Sequence, residues 1–296
     1  MHQLTRTEFL VACAGLGVAL VGCGSTSSGD SAGSAPYMLP RFDSQSLLVG
    51  QQRVVVILGS QDPGSQTTNG QSPQLLKTGP AKIDAGVYDL TTNKKLLDAS
   101  ATMYADGLPT AYWPFDLKLD KVGSYELRAK IDGQNRTLAF SVLDRSAEHV
   151  PYAGDKLPSI VTPTVANGQG VNPVCTNKPQ CPFHTVSLAD ALVAKQRVLF
   201  YVGTPAYCQT GVCGPGLQFL IDSQKKIGAD IAIIHAEVYT DDTIKTTTAA
   251  INSLGLTFEP CLFLVGADGV IIARIDSVFA AADLQNVLTA AGFLAT

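Results

Sequence analysis

Two cysteines five positions apart, Cys208 and Cys213, lie in "TPAYCQTGVCGP", residues 204–215. The residues before them, "RVLFYVG", have the pattern of a buried strand, and those after, "LQFLIDSQKKIG", that of an amphipathic helix. Two thiols at such a joint can form a structural staple, a metal clamp or a redox pair. Spacing limits how they meet. Residues three apart in a helix differ by about 4.5 Å of rise and about 60° of rotation, whereas residues five apart differ by about 7.5 Å and about 140°. A disulfide spans roughly 7 Å or less between Cα atoms, so the pair bridges only if one cysteine leaves the helix. Gly211 can bend the loop, Cys213 can occupy the helix N-cap region, and Pro215 suits the first turn, where its missing N–H costs nothing. Cys208 then sits in the loop above the helix N-terminus, where amide donors stabilise a thiolate.

Three other groups carry potential chemistry. "CTNKPQCPFH" holds Cys175, Cys181 and His184, which suit part of a zinc site with no evident fourth ligand, or a small loop closed by a Cys175–Cys181 disulfide. His235 in "IIHAEV" fits a hydrogen-bonded strand-end histidine, and Glu237, two residues on, lies on the same face as partner or solvated carboxylate. Cys261 follows Pro260 and opens an apolar run, where a free cysteine is expected to be a small buried hydrophobe. The alternative is a third redox thiol.

The compartment separates these readings. "MHQLTRTEF" precedes a short apolar run, "FLVACAGLGVALV", too short to span a bilayer comfortably, and a Ser/Gly-rich stretch follows. That order predicts an export signal over residues 1–22 and a flexible tether over 23–39. "LVGC" resembles a bacterial lipobox. The resemblance implies cleavage before Cys23, lipid on its thiol, and a location on the outer face of a bacterial membrane. "TRTEFL" is a degenerate twin-arginine pattern with Thr7 at the second arginine position, so the general secretory route is expected. Close cysteines oxidise outside the cytoplasm, which favours the Cys175–Cys181 disulfide over zinc. The net charge is −4 with scattered Lys and Arg, which gives no basic stripe for nucleic acid.

The positioning elements divide into two domains. Residues 40–145 alternate with strand period, and turns such as "TTNKK" and "IDGQN" separate about seven short strands. An all-β sandwich is expected, with Tyr112, Trp113 and Phe115 in its core. "VGSYELRAKIDG" resembles the late strands of immunoglobulin-like bacterial domains. Residues 146–173, rich in Pro and Gly, form a linker or a long irregular approach to a second domain at 174–296. There helical and strand patterns alternate: "SLADALVAKQ" capped by Ser187, "RVLFYVG", the cysteine joint and its helix, "DIAIIHAEVY", "DDTIKTTTAAINSLG", the hairpin "CLFLVGADGVIIARID", and "AAADLQNVLTAAG".

This second domain resembles the thioredoxin-like superfamily, in particular its membrane-anchored bacterial thiol–disulfide proteins. "GDKLP", the cysteine pair between strand and helix, "EPCLFLVGADGVIIARI" and "FAAADLQNVL" carry the resemblance over roughly residues 154–294. It implies an α/β thioredoxin-like fold, a cis peptide before Pro260, and thiol–disulfide exchange with protein thiols or disulfides outside the cytoplasm. Cys208 would attack and Cys213 resolve, with no cofactor and no metal. The usual C-x-x-C is replaced by C-x-x-x-x-C, a spacing shared with bacterioferritin-comigratory-type peroxiredoxins, so a thiol peroxidase is the alternative. Copper chaperones of the superfamily pair two close cysteines with a distant His, a role open to His235. A non-enzymatic lipoprotein whose cysteines are a staple is the remaining class.

Overall fold

The computed structural model of the chain describes residues 35–41, 47–60 and 74–295. The signal, the lipobox and Cys23 lie outside the described residues. The described residues divide into two compact units, one comprising those up to Ala105 together with Thr110–Ala147, the other Asp106–Pro109 and Glu148 onward.

The amino-terminal unit is all β among its described residues, apart from a single 3-10 turn at Arg145–Ala147. Strands β1 (Tyr37–Pro40), β3 (Gly50–Gly59) and β6 (Trp113–Leu119) form one antiparallel sheet in the order β1-β3-β6. Strands β2 (Leu47–Leu48), β4 (Lys82–Asp89), β5 (Lys95–Thr102), β7 (Gly123–Ile131) and β8 (Gln134–Leu143) form a second, in the order β2-β8-β7-β4-β5. Alternate side chains of both sheets meet in one core: Val54, Val56, Trp113 and Phe115 from the first, Ile83, Val87, Leu127 and Ile131 from the second. In β7 the buried residues are Tyr125, Leu127, Ala129 and Ile131, the face that the alternation predicts. Trp113 is fully buried and its indole N–H donates to the Pro80 carbonyl at 2.9 Å.

The carboxy-terminal unit is built on a four-stranded mixed sheet. Its strands β9 (Arg197–Val202), β10 (Ile231–Ala236), β11 (Cys261–Val265) and β12 (Ile271–Asp276) run in the order β10-β9-β11-β12. Only β9 and β10 are parallel; β11 is antiparallel to both β9 and β12. The helices are α1 (Leu188–Val193), α2 (Cys213–Ser223), α3 (Ala249–Leu254) and α4 (Ala281–Ala290). Alternate residues of β9 enter separate cores: Val198, Phe200 and Val202 pack with Leu188 of α1 and Ile251 of α3, while Leu199 and Tyr201 pack with Leu217 of α2 and Leu284 of α4. A strand buried on both faces is a continuous apolar run, which is how "RVLFYV" is written.

The expected fold class, with its α/β thioredoxin-like domain, is overturned. The structure is 38% strand and 16% helix, with three mixed or antiparallel sheets and few helices. The helical patterns were longer than the helices they produce. "SLADALVAKQ" gives six helical residues, started by Ser187, whose hydroxyl accepts the Asp190 N–H at 3.1 Å. In "DDTIKTTTAAINSLG" the threonine run pairs instead, with Tyr239 bridging Thr247, and only Ala249–Leu254 is helical. Threonine loses rotamer freedom in a helix and offers its hydroxyl to the backbone: Thr248 Oγ1 donates to the Glu237 carbonyl at 2.7 Å. Gly255 ends α3 in the left-handed region, φ 66°. The irregular approach to this unit joins it from Glu148 onward. Val150, Leu157 and Ile160 are buried in its core, and the N–H groups of Gly154 and Leu157 donate to the Ile271 and Gly269 carbonyls at 2.9 Å each.

Trp113→Ala removes the largest buried side chain of the amino-terminal core, and its loss is expected to cost about 3–5 kcal/mol. Urea denaturation followed by circular dichroism measures it; a loss below about 1 kcal/mol would show that this ring does not organise the core.

Candidate functional site

Functional side chains collect where β9 and β10 end and β11 begins. Val202 is level with both Ala236 and Cys261 in the sheet, so Gly203 and Thr204 leave β9 beside Glu237 on one side and Glu259–Pro260 on the other. The Glu259–Pro260 peptide is cis.

The loop from Thr204 carries the first cysteine pair. Cys208 and Cys213 are joined by a disulfide with Cα atoms 6.0 Å apart. Gly211 takes φ 67° and turns the loop back. Helix α2 then starts at Cys213, with Pro215 in its first turn. Tyr201, deep in the sheet, donates its hydroxyl to the Cys213 carbonyl at 2.7 Å and ties the helix start to β9. The two sulfurs differ in access. Cys208 is half-buried, within 3.3 Å of the Thr210 hydroxyl, whereas Cys213 is fully buried.

Beneath them is a buried carboxylate network. Thr204 donates its N–H to Glu259 Oε2 at 2.6 Å and its hydroxyl to Glu237 Oε2 at 2.5 Å. Glu237 also accepts the Thr176 N–H at 2.6 Å and the Thr176 hydroxyl at 3.0 Å. A Glu259 carboxylate oxygen and the sulfurs of Cys208 and Cys213 all lie within 4.8 Å of one another. Burial pushes the Glu259 carboxyl up to about 8; the Thr204 N–H opposes this and the Glu237 charge adds to it. Burial also raises Glu237, against the pull of His235 and its hydrogen bonds from Thr204 and Thr176.

Cys175 and Cys181 are not bridged: both are free and buried. The expected disulfide is therefore corrected: both thiols are unbonded and gather at His235. Cys175 Sγ and Cys181 Sγ lie 3.7 and 3.4 Å from His235 Nδ1, and His184 Nε2 lies 3.2 Å from the same atom. His235 Nε2 faces the Gly203 carbonyl at 2.8 Å. The backbone N–H of His235 donates to the Phe183 carbonyl at 3.1 Å, which seats the cysteine loop against β10. In the coupled thiol pair, the Cys181 hydrogen bond, followed by those of His184 and His235, favours ionisation of Cys175.

Cys261 is free and buried, with Sγ 3.4 Å from Asp276 Oδ1, while Arg274 pairs with Asp276 Oδ2 at 2.8 Å. Burial, then the Asp276 charge, raises the Cys261 thiol far above its ordinary range. Cys261 is thus a core residue and not one of the convergent thiols. The sequence separated His184 from His235 and gave Glu259 no role. A lone carboxylate in the apolar stretch "FEPCLFLV" was the available signal for Glu259. Comparison with protein-family models, with curated proteins and with solved structures finds no match to this chain.

Glu259 also sets a pH dependence. Its folded value, about 8, lies above the ordinary value of 4.5, so the folded state holds the proton more tightly than the unfolded state. The associated stability is complete below about 4.5 and is lost as pH rises through 8, at up to about 1.4 kcal/mol per pH unit. Glu259→Gln is expected to flatten this part of a melting temperature–pH profile; an unchanged slope would remove Glu259 as the source.

Proposed function

We propose that the protein catalyses thiol–disulfide exchange through Cys208 and Cys213, outside the cytoplasm, anchored by lipid on Cys23. One observation carries the chemistry: a disulfide with one half-buried and one fully buried sulfur sits against the buried Glu259 carboxyl, which burial raises to about 8. In the reduced protein the Cys208 thiolate attacks a sulfur of a target disulfide, forming a mixed disulfide and expelling one target thiolate. Glu259, as carboxylate, takes the proton of the Cys213 thiol. The Cys213 thiolate then attacks Cys208 Sγ, the second target thiolate leaves, and the Cys208–Cys213 bond forms. Two electrons pass to the target disulfide, and an external dithiol must return them for a further cycle. Full burial denies Cys213 to a large partner, so Cys208 is the sulfur that meets substrate. The anchor rests on "LVGC" at residues 20–23.

Cys213→Ser is expected to trap mixed disulfides through Cys208 on non-reducing gels; trapping that survives Cys208→Ser would reverse the roles. From a preformed mixed disulfide, release should accelerate as pH rises through about 8. Glu259→Gln should slow release roughly 100-fold and remove that step in the profile. Rapid hydrogen peroxide consumption by the reduced protein, without target trapping, would contradict the exchange reading.

Cys23→Ala is expected to release the protein from the membrane fraction. A wild-type protein found wholly soluble, with an unmodified Cys23, would exclude the anchor.

A further inference from the structure

We propose that Cys175 Sγ, Cys181 Sγ, His184 Nε2 and His235 Nδ1 bind a single Zn2+ ion as a closed structural site. The four donor atoms lie within 4.8 Å of one another and all four residues are buried. Their separations match what a tetrahedral ion imposes. With metal–nitrogen bonds of about 2.0–2.1 Å and metal–sulfur bonds of about 2.3 Å, tetrahedral geometry places the two nitrogens about 3.3 Å apart and each nitrogen about 3.5 Å from a sulfur. The observed His184–His235 separation is 3.2 Å, and the sulfurs lie 3.4 and 3.7 Å from His235 Nδ1.

The surroundings suit the same assignment. His235 Nε2 faces the Gly203 carbonyl, so Nε2 carries the proton and Nδ1 presents its lone pair to the cluster. His184 Nδ1 is buried with no hydrogen-bond partner among the described residues, so the polar contact of that ring is at the cluster alone. The Cys181 N–H points at Cys175 Sγ, 3.5 Å away, as a donor to a thiolate would. On binding, both thiols release their protons. Two thiolates and two neutral imidazoles then leave a Zn2+ complex with no net charge, the condition under which a buried ion is tolerated. Four protein ligands leave no open position for a substrate, which makes the site structural. Two imidazoles beside two thiolates suit zinc better than copper(I), which favours softer sets.

The site has a mechanical purpose. Residues 161–187 form neither strand nor helix, and a connection of this length needs its own fixings. The ion would join this loop to β10, bridging residues 51–60 positions apart in sequence. It is separate from the Cys208–Cys213 pair and goes beyond the exchange chemistry.

Elemental analysis of the full chain, purified from its native compartment without chelator, tests the proposal. One zinc per chain is expected, retained in the Cys208→Ser/Cys213→Ser double variant and lost in Cys181→Ser. As a control independent of folding defects in Cys181→Ser, cobalt replaces zinc in the otherwise unaltered chain. Thiolate-to-cobalt charge-transfer bands with tetrahedral d–d bands support the site, and their absence overturns it. Chelation is expected to lower the melting temperature by more than about 10 °C, reversibly on adding zinc. A metal-free protein whose non-reducing peptide map shows a Cys175–Cys181 disulfide would also overturn it.

Discussion

Thr204 holds the functional end of the carboxy-terminal unit together. It gives its two hydrogen-bond donors to two different buried carboxyls, Glu259 through the backbone and Glu237 through the hydroxyl. Neither carboxyl tolerates burial unpartnered, and each belongs to a different neighbour of β9. The sheet register brings them to Thr204, and Thr204 in turn begins the loop that carries Cys208. A residue lacking the hydroxyl at position 204 would strip Glu237 of one bond and loosen the join between β9 and β10.

The same network separates two kinds of sulfur. On the α2 side, Cys208 and Cys213 are bonded, one of them reachable, with a titrating carboxyl at hand. On the Thr176 side, Cys175 and Cys181 are buried, unbonded and turned toward two imidazoles. Glu237 stands between, accepting from Thr204 toward one pair and from Thr176 beside the other. Cys261 lies apart from both, held in the core beside Asp276. Five cysteines of the described chain thus occupy three environments, and depth of burial together with the nearest titratable group decides what each can do.

Local patterns were legible in the sequence where one interaction dominates. The alternating face of β7, the apolar run of β9, the Ser187 cap, the bend at Gly211 and the left-handed Gly255 each follow from the residue itself and its immediate neighbours. The class of the second unit did not follow, because periodicity overstated helix length where threonines favoured a bridge over a helical turn. The compartment argument led to a Cys175–Cys181 disulfide because His235, more than fifty residues away, carries no sign of its register. Only the placement of the cysteine loop on β10, through the Phe183 carbonyl, brings that ring to the thiols. Glu259 shows in the sequence only as a lone carboxylate in an apolar stretch; its place against the disulfide comes from the register of β9 and β11.

The central claim is that the Cys208–Cys213 bond cycles rather than staples the loop to α2. Its reduction potential, measured by equilibration with a thiol redox buffer and quantified by alkylation of Cys208, decides this directly. A cycling pair is expected to lie above about −300 mV, within reach of cellular dithiols; a value well below about −300 mV would mark a structural bond and contradict the account.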